Sequence, residues 1–178
     1  LKGVIQITGS HNPAEYNGFK MMLGSGTLHG EGIQELRTII EEESFHTAET
    51  QGDVVAWEEL RAEYLSWLQD NLSSGDRALK VVLDSGNGVA GVVAPDAVRR
   101  VFGADTEVVE LFSEPDATFP NHHPDPTVAE NLEHLIDAVR EHDADLGVAY
   151  DGDGDRIGVV DETGRIIWGD KLMILLSR

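Results

Sequence analysis

The stretch from Asp151 to Arg156 alternates three carboxylates with two glycines and ends on an arginine. Hard divalent cations bind several oxygen ligands that converge on one point, and aspartate supplies such oxygens. Glycine supplies the backbone freedom that lets a chain curl around an ion. Because three carboxylates this close repel one another unless a cation is present, the stretch predicts a metal site with Asp151, Asp153 and Asp155 as ligands.

The residues on both sides of this loop indicate which cation it would bind. Residues 145–150 and 157–160 are short, apolar and partly β-branched, which predicts strands. The aspartate spacing imitates a calcium-binding EF-hand, with Glu162 at position 12, but Arg156 stands where that loop needs glycine, and helical flanks are missing. A magnesium-type site is therefore favoured, while a calcium-binding or structural acidic module and a solvated acidic turn stay open.

A second candidate loop runs from Thr8 to Pro13 and follows a predicted strand. Ser10 is a candidate nucleophile, but a serine hydroxyl is weak at neutral pH and needs activation. The adjacent His11 is a poor partner, since neighbouring side chains rarely face each other, and the G-x-S-x-G pattern of hydrolases is absent. A hydrolase triad is not favoured, and an ordinary turn rich in polar residues remains an alternative.

A third candidate, residues 86–91, matches the G-x-G-x-x-G pattern between a predicted strand and a predicted helix. Glu110 follows about twenty residues later, as in dinucleotide-binding folds. The pattern supports two readings, a Rossmann-like nucleotide-binding module and a tight turn in which small residues allow close packing.

The elements that must position these loops alternate between strands and helices. Strands are predicted at residues 3–8, 19–23, 79–83, 106–111 and 145–150. Helices are predicted at residues 31–43, 57–72, 89–102 with an interruption near Pro95, 127–141 with Thr127 as its cap, and 170–177. Residues 44–55 form the predicted linker. This order predicts an α/β fold with mixed, mostly parallel sheets and helices on both faces.

Composition excludes several classes of partner. The net charge of −20 over 178 residues opposes binding to nucleic acid or to anionic membranes. No apolar run approaches the length of a membrane span, and the absence of cysteine excludes thiol catalysis. A cytoplasmic location is expected. Because the chain begins at Leu1 inside an apparent strand and stops at Arg178 inside an apparent helix, we expect it to be an excised piece of a longer protein.

Five motifs occur together in one order: residues 7–13, 15–20, 84–88, 120–126 and 151–156. In this order they resemble the α-D-phosphohexomutase family, most closely its bacterial phosphomannomutase/phosphoglucomutase branch. The family often has alanine where this chain has Gly9.

The resemblance implies a role for each candidate residue. It implies that Ser10 carries a phosphoryl group, and that Asp151, Asp153 and Asp155 bind Mg²⁺, which also contacts the phosphate on Ser10. Further implied roles are phosphate binding by Arg156, general acid or base chemistry by His11 and Lys20, and orientation of the serine loop by Asn12.

The implied reaction interconverts hexose 1-phosphate and hexose 6-phosphate through a 1,6-bisphosphate. Residues 1–55 then correspond to the end of domain 1, residues 56–162 to domain 2 and residues 163–178 to the start of domain 3. The implied partners are a phosphorylated hexose and the remaining domains of the same chain, so that the fragment alone is expected to be inactive.

Overall fold

A computed structural model describes residues 3–10, 12–13 and 15–177, and these residues divide into two compact units. The first unit comprises the described residues of 1–8 together with residues 17–58. The second unit comprises the described residues of 9–16 together with residues 59–177. Among the described residues, no helix combines the length and the apolar character that a membrane span requires.

The first unit is an antiparallel sheet with one helix. Its elements are strands β1 (Gly3–Ile7), β2 (Phe19–Leu23) and β3 (Gly26–Thr27), and helix α1 (Glu31–Glu41). Helix α1 ends two residues before the predicted end because Glu43 adopts a φ of 53°. The amide of Glu43 donates to the Ile40 carbonyl and that of Ser44 to the Ile39 carbonyl, the pattern of a Schellman motif.

The second unit contains a five-stranded sheet in the order β5-β4-β6-β7-β8. Its strands are β4 (Lys80–Asp84), β5 (Glu107–Leu111), β6 (Leu146–Tyr150), β7 (Ile157–Asp161) and β8 (Ile166–Ile167). Its helices are α2 (Leu60–Asn71), α3 (Ala94–Phe102), α4 (Glu133–Glu141) and α5 (Gly169–Leu176). The α/β class with mixed sheets is confirmed.

Connection length decides the strand directions. Helix α3 links β4 to β5 and helix α4 links β5 to β6, and both pairs that involve β4 are parallel. Short loops join β6 to β7 and β7 to β8, and these pairs are antiparallel, as short connections require. Among the described strands, parallel pairs are therefore a minority, whereas the sequence predicted that they would be the majority.

Helix α4 covers the core of the second unit. Val82 of β4, Val160 of β7, and Leu135 and Val139 of α4 are fully buried in one cluster. A Cβ built on Gly147 of β6 would lie 2.7 Å from both Leu135 Cδ1 and Val139 Cγ2, so the absence of a side chain there lets the helix pack directly on the sheet. This packing fixes β6, whose carboxyl end continues into the aspartate loop.

Helices α3 and α4 begin later in the chain than the sequence predicted. The interruption near Pro95 is confirmed: a 3₁₀ turn at Val89–Val92 precedes α3, where Pro95 occupies the first turn and its missing N–H costs no hydrogen bond. The prediction that Thr127 caps a helix was wrong. Both its amide and its hydroxyl donate to Asp125 Oδ1, and α4 begins only at Glu133, after a 3₁₀ turn.

Helix α2 begins at Leu60 rather than at Trp57. Leu65 is buried, but Leu60 and Tyr64 are about half exposed, so the apolar residues of this helix are only partly covered in the second unit.

Candidate active site

The serine loop and the aspartate loop meet within the second unit. The Ser10 Oγ atom lies 3.0 Å from Asp151 Oδ2 and 3.0 Å from Asp153 Oδ1. A hydroxyl has one hydrogen and can donate it to only one of these carboxylates at a time. The second carboxylate oxygen then faces the Ser10 Oγ atom with no proton between the two oxygens. A cation or an added proton would stabilise this arrangement.

Asp151 organises the aspartate loop from its centre and is fully buried. Its Oδ1 atom accepts the backbone N–H groups of Asp155 at 3.0 Å and Arg156 at 3.1 Å. These two bonds fix the carboxylate and leave Oδ2 directed toward Ser10. Gly154, with a φ of 72°, adopts the left-handed conformation that lets the loop close in this way.

The electrostatics of the loop favour a bound cation. Carboxylate oxygens of Asp151, Asp153 and Asp155 lie within 4.8 Å of one another. Burial raises the pKa of the Asp151 carboxyl, as do the charges of the other two aspartates, while the hydrogen bonds from Arg156 and Ser10 oppose that rise. A divalent ion would remove the repulsion, and three hard oxygen donors fit magnesium or calcium better than a soft metal.

Arg156 lies beside the carboxylates of the aspartate loop. Its Nε atom is 3.8 Å from Asp151 Oδ2 and 3.9 Å from Asp155 Oδ1. The side chain is 42% exposed, so its guanidinium group can also reach a ligand that carries negative charge.

Close backbone approach brings the two loops together. A Cβ built on Gly152 would collide with the Ser10 carbonyl oxygen. On the other side, a Cβ built on Gly88 would lie 2.9 Å from the Gly152 carbonyl oxygen and 3.1 Å from that of Asp151. The turn after β4, the aspartate loop and the serine loop thus form three layers in backbone contact.

The serine loop itself is tightly folded. Ser10 has a φ of 50°, a left-handed conformation that costs a non-glycine residue roughly 1–2 kcal/mol. Its neighbour Gly9 is closely packed, since a Cβ there would lie 2.8 Å from the Tyr16 carbonyl oxygen. This contact gives a steric reason for glycine at this position.

Three predicted site residues remain, Asn12, Lys20 and His11. The Asn12 amide donates to the Gly9 carbonyl at 2.9 Å and closes the serine turn, while the residue itself is exposed. Lys20 is an exposed residue of β2 in the first unit, paired in register with Gln6. His11 lies outside the described residues.

The G-x-G-x-x-G turn packs against the aspartate loop. The Val89 amide, at the start of the following 3₁₀ turn, donates to the Gly152 carbonyl, although a nucleotide-binding turn would direct such an amide to phosphate. Glu110 forms a 2.6 Å ion pair with Arg99. The close-packing interpretation of this turn therefore fits the structure, and nothing supports the nucleotide-binding alternative.

Sequence reasoning missed one part of the site, the packing of residues 120–126 beside it. A Cβ built on Gly152 would lie 3.6 Å from the side chain of the fully buried Pro124. His122, two residues earlier, contacts the buried Asp84 at the end of β4. The sequence indicated residues 120–126 only as one of five motifs, and it predicted no role for them.

The fold and the site define an α/β protein in which a serine hydroxyl lies at an acidic candidate metal centre. The sequence-family model for phosphoglucomutase/phosphomannomutase, alpha/beta/alpha domain I, matches residues 1–47. The family model for alpha/beta/alpha domain II of the same proteins matches residues 62–164. The chain therefore belongs to the phosphoglucomutase/phosphomannomutase family.

Individual relatives agree with this assignment. The chain is 46% identical over 174 residues to a phosphoglucomutase of Neisseria meningitidis, and 43% identical over 177 residues to a phosphomannomutase/phosphoglucomutase of Pseudomonas aeruginosa. These alignments cover 98% and 99% of the chain but 37% of each relative. A crystal structure of a family protein from Burkholderia thailandensis superposes with a TM-score of 0.89 at 40% identity, over 98% of this chain and 37% of that one.

Proposed function

We propose that this chain is the part of a phosphohexomutase that carries the phosphoserine and the metal site. The observation that carries the proposal is the position of Ser10 Oγ, 3.0 Å from carboxylate oxygens of both Asp151 and Asp153. The names of the relatives supply the substrate class, glucose and mannose phosphates. The whole enzyme would convert hexose 1-phosphate to hexose 6-phosphate through a 1,6-bisphosphate.

In the proposed reaction, Ser10 passes its phosphoryl group to a sugar hydroxyl and later accepts the other phosphoryl group of the bisphosphate. The P–Oγ bond breaks as the bond from phosphorus to the sugar oxygen forms, and the sugar hydroxyl gives up its proton. His11 and Lys20 are the proposed acid and base, Asn12 orients the serine loop, and Arg156 supplies a fixed positive charge to the phosphate.

Mg²⁺ is the cation proposed for Asp151, Asp153 and Asp155, and when bound it would neutralise charge on the transferring phosphoryl group. The donor set fits, because these carboxylates offer converging hard oxygens and Ser10 Oγ faces them. A phosphate on Ser10 would bring about two negative charges to this place.

The domain bounds given above are part of this proposal. Residues 1–55 would complete the first domain, residues 56–162 would form the second, and residues 163–178 would begin the third. The remaining domains would supply further contacts to the sugar, so the fragment alone would be inactive. The cytoplasmic location stays a prediction.

Substitution of Ser10 by alanine in the longer protein tests the phosphoserine. Intact-mass measurement should find one phosphoryl group on the wild type and on the matched control Ser25→Ala, an exposed turn serine, and none on Ser10→Ala. Turnover of glucose 1-phosphate should be abolished only in Ser10→Ala. Normal turnover by that variant would refute the mechanism.

Calorimetric titration with Mg²⁺ tests the metal site. Asp153→Asn removes a charge that faces Ser10 Oγ and should weaken binding, whereas Asp137→Asn on the exposed face of α4 should not. Strong calcium binding with weak magnesium binding, and no phosphate on Ser10, would instead support a structural acidic module.

A further inference from the structure

A second cluster of ionisable groups lies beside the site, at the carboxyl end of β4. Asp84 is fully buried, and the side chain of His122 is 11% exposed. The His122 Nε2 atom lies 3.1 Å from Asp84 Oδ1 and 3.0 Å from Asp84 Oδ2. The other ring nitrogen, Nδ1, lies 3.0 Å from the His123 carbonyl oxygen.

Both neighbours of the His122 ring accept hydrogen bonds and cannot donate them. A carbonyl oxygen has no hydrogen, and an ionised carboxyl has none either. A neutral imidazole carries one N–H and would leave its second nitrogen lone pair directed at an acceptor. Only the doubly protonated imidazolium satisfies both contacts, and its charge also compensates the buried Asp84 carboxylate.

The surroundings of the ring are consistent with a single buried charge. Phe112 packs edge-on against it, with ring centroids 5.4 Å apart, and His134 at the start of α4 lies at 6.0 Å. Among the described residues, Asp84 is the acidic group in hydrogen-bond contact with the ring, and His134 is a second titratable group beside it. Burial by itself lowers the pKa of His122, but the hydrogen bond and the charge of Asp84, with the His123 carbonyl, raise it above its ordinary value.

The ion pair connects to the aspartate loop through Pro124. Asp84 Oδ1 also accepts the Gly86 amide at 2.9 Å, which fixes the turn. A Cβ built on Gly86 would lie 3.1 Å from Pro124 Cβ and 3.2 Å from His122 Cε1. Pro124 therefore sits between Gly86 and Gly152, two residues along the chain from the ion pair.

We propose that His122 is held as an imidazolium and is a positioning residue for the aspartate loop, because its bond to Asp84 seats Pro124 against Gly86 and Gly152. The effect on the loop rests on the metal-binding role proposed above, whereas the protonation state of His122 does not. The proposal adds Asp84, His122 and Pro124 to the residues that support the site, without any contact to substrate.

Nitrogen-15 NMR of the histidine rings in the full chain tests the protonation state directly. At neutral pH, both ring nitrogens of His122 should carry hydrogen. A neutral His122 ring at pH 7 would overturn the proposal. This measurement uses the wild type, so it does not depend on whether a variant folds.

The pH dependence of stability gives a second readout. A raised pKa means that the stabilisation by His122 is complete below the ordinary value of 6.5 and is lost as pH rises through the folded-state pKa. With a chelator present, the unfolding free energy of His122→Gln should therefore fall below that of the wild type most strongly under pH 6.5, and the gap should narrow at alkaline pH. A gap that is independent of pH would contradict the imidazolium.

Manganese titration separates positioning from stability. His122→Gln should weaken Mn²⁺ binding by about tenfold, the lower end of the effect of residues that support metal ligands. His123→Gln, the same change at the exposed neighbour, should leave the affinity unchanged. Equal affinities of the two variants would refute the positioning role. Failure of the wild type to bind Mn²⁺ would instead refute the metal site, and the NMR result would still decide the charge on His122.

Discussion

Replacing Gly152 with alanine places a methyl group on the Ser10 carbonyl oxygen. The residue lacks a positive φ, so alanine is compatible with its backbone and the effect is purely steric. The aspartate loop cannot retreat easily, because the turn at Gly88 lies behind it and the Val89 amide donates to the Gly152 carbonyl oxygen at 3.2 Å. The serine loop must therefore move.

The required movement can be estimated from ordinary contacts. A carbon and a carbonyl oxygen normally approach to about 3.3–3.6 Å, so the Ser10 backbone must withdraw by about 1 Å. The Ser10 Oγ atom now lies 3.0 Å from Asp151 Oδ2, and such a withdrawal takes it past the roughly 3.5 Å at which a hydrogen bond ceases. Misplacement of a reacting group by about 1 Å costs about 100-fold in rate.

The assay is mutase turnover by the longer protein, with intact-mass measurement of the phosphoserine. We expect kcat of Gly152→Ala to fall about 100-fold, equivalent to about 2.7 kcal/mol, while Mg²⁺ affinity changes little because the three aspartates stay in one loop. Gly75→Ala is the control, since open space surrounds that glycine. Wild-type turnover by Gly152→Ala would refute the layered arrangement of the two loops.

Three further predictions concern stability. Leu135→Ala empties the core under α4 and should lower the unfolding free energy by about 2–5 kcal/mol in urea titrations; a loss as small as that of a surface substitution would contradict the core assignment. Burial raises the pKa of the Tyr150 phenol above 10.0, so the wild type should lose stability as pH rises past that value and Tyr150→Phe should lose less; identical alkaline profiles would refute this. With a net charge of −20, the chain should melt at higher temperature in molar salt than in dilute buffer, and an unchanged melting temperature would refute self-repulsion.

Local chemistry made the aspartate loop predictable from the sequence. Asp151, Asp153 and Asp155 are close in the chain, and the apolar runs around them fix two adjacent strands without reference to the rest of the fold. Thr127 was mispredicted for a related reason. It has the right type for a helix cap, but Asp125, two residues earlier, captures both its amide and its hydroxyl.

Contacts between distant segments were beyond the reach of pattern reasoning. Asp84 and His122 are 38 residues apart, and neither residue type reveals the other. Gly152 is a second example. A side chain at this position would collide with the Ser10 carbonyl oxygen, but Ser10 lies 142 positions away, in a loop that follows a different strand. Spacing indicates which residues can bind a metal, but only the packed chain shows what holds them there.

The three layers also explain why the site depends on backbone atoms as much as on side chains. Gly88 and Gly152 contribute no functional group, yet each lets one loop lie directly on the next, which a methyl group would prevent. Side chains then act at the ends of this stack: Asp84 and His122 fix the turn after β4, and Ser10 faces Asp151 at the opposite end. A change at either end is therefore expected to reach the other through main-chain contacts whose geometry has little freedom to relax.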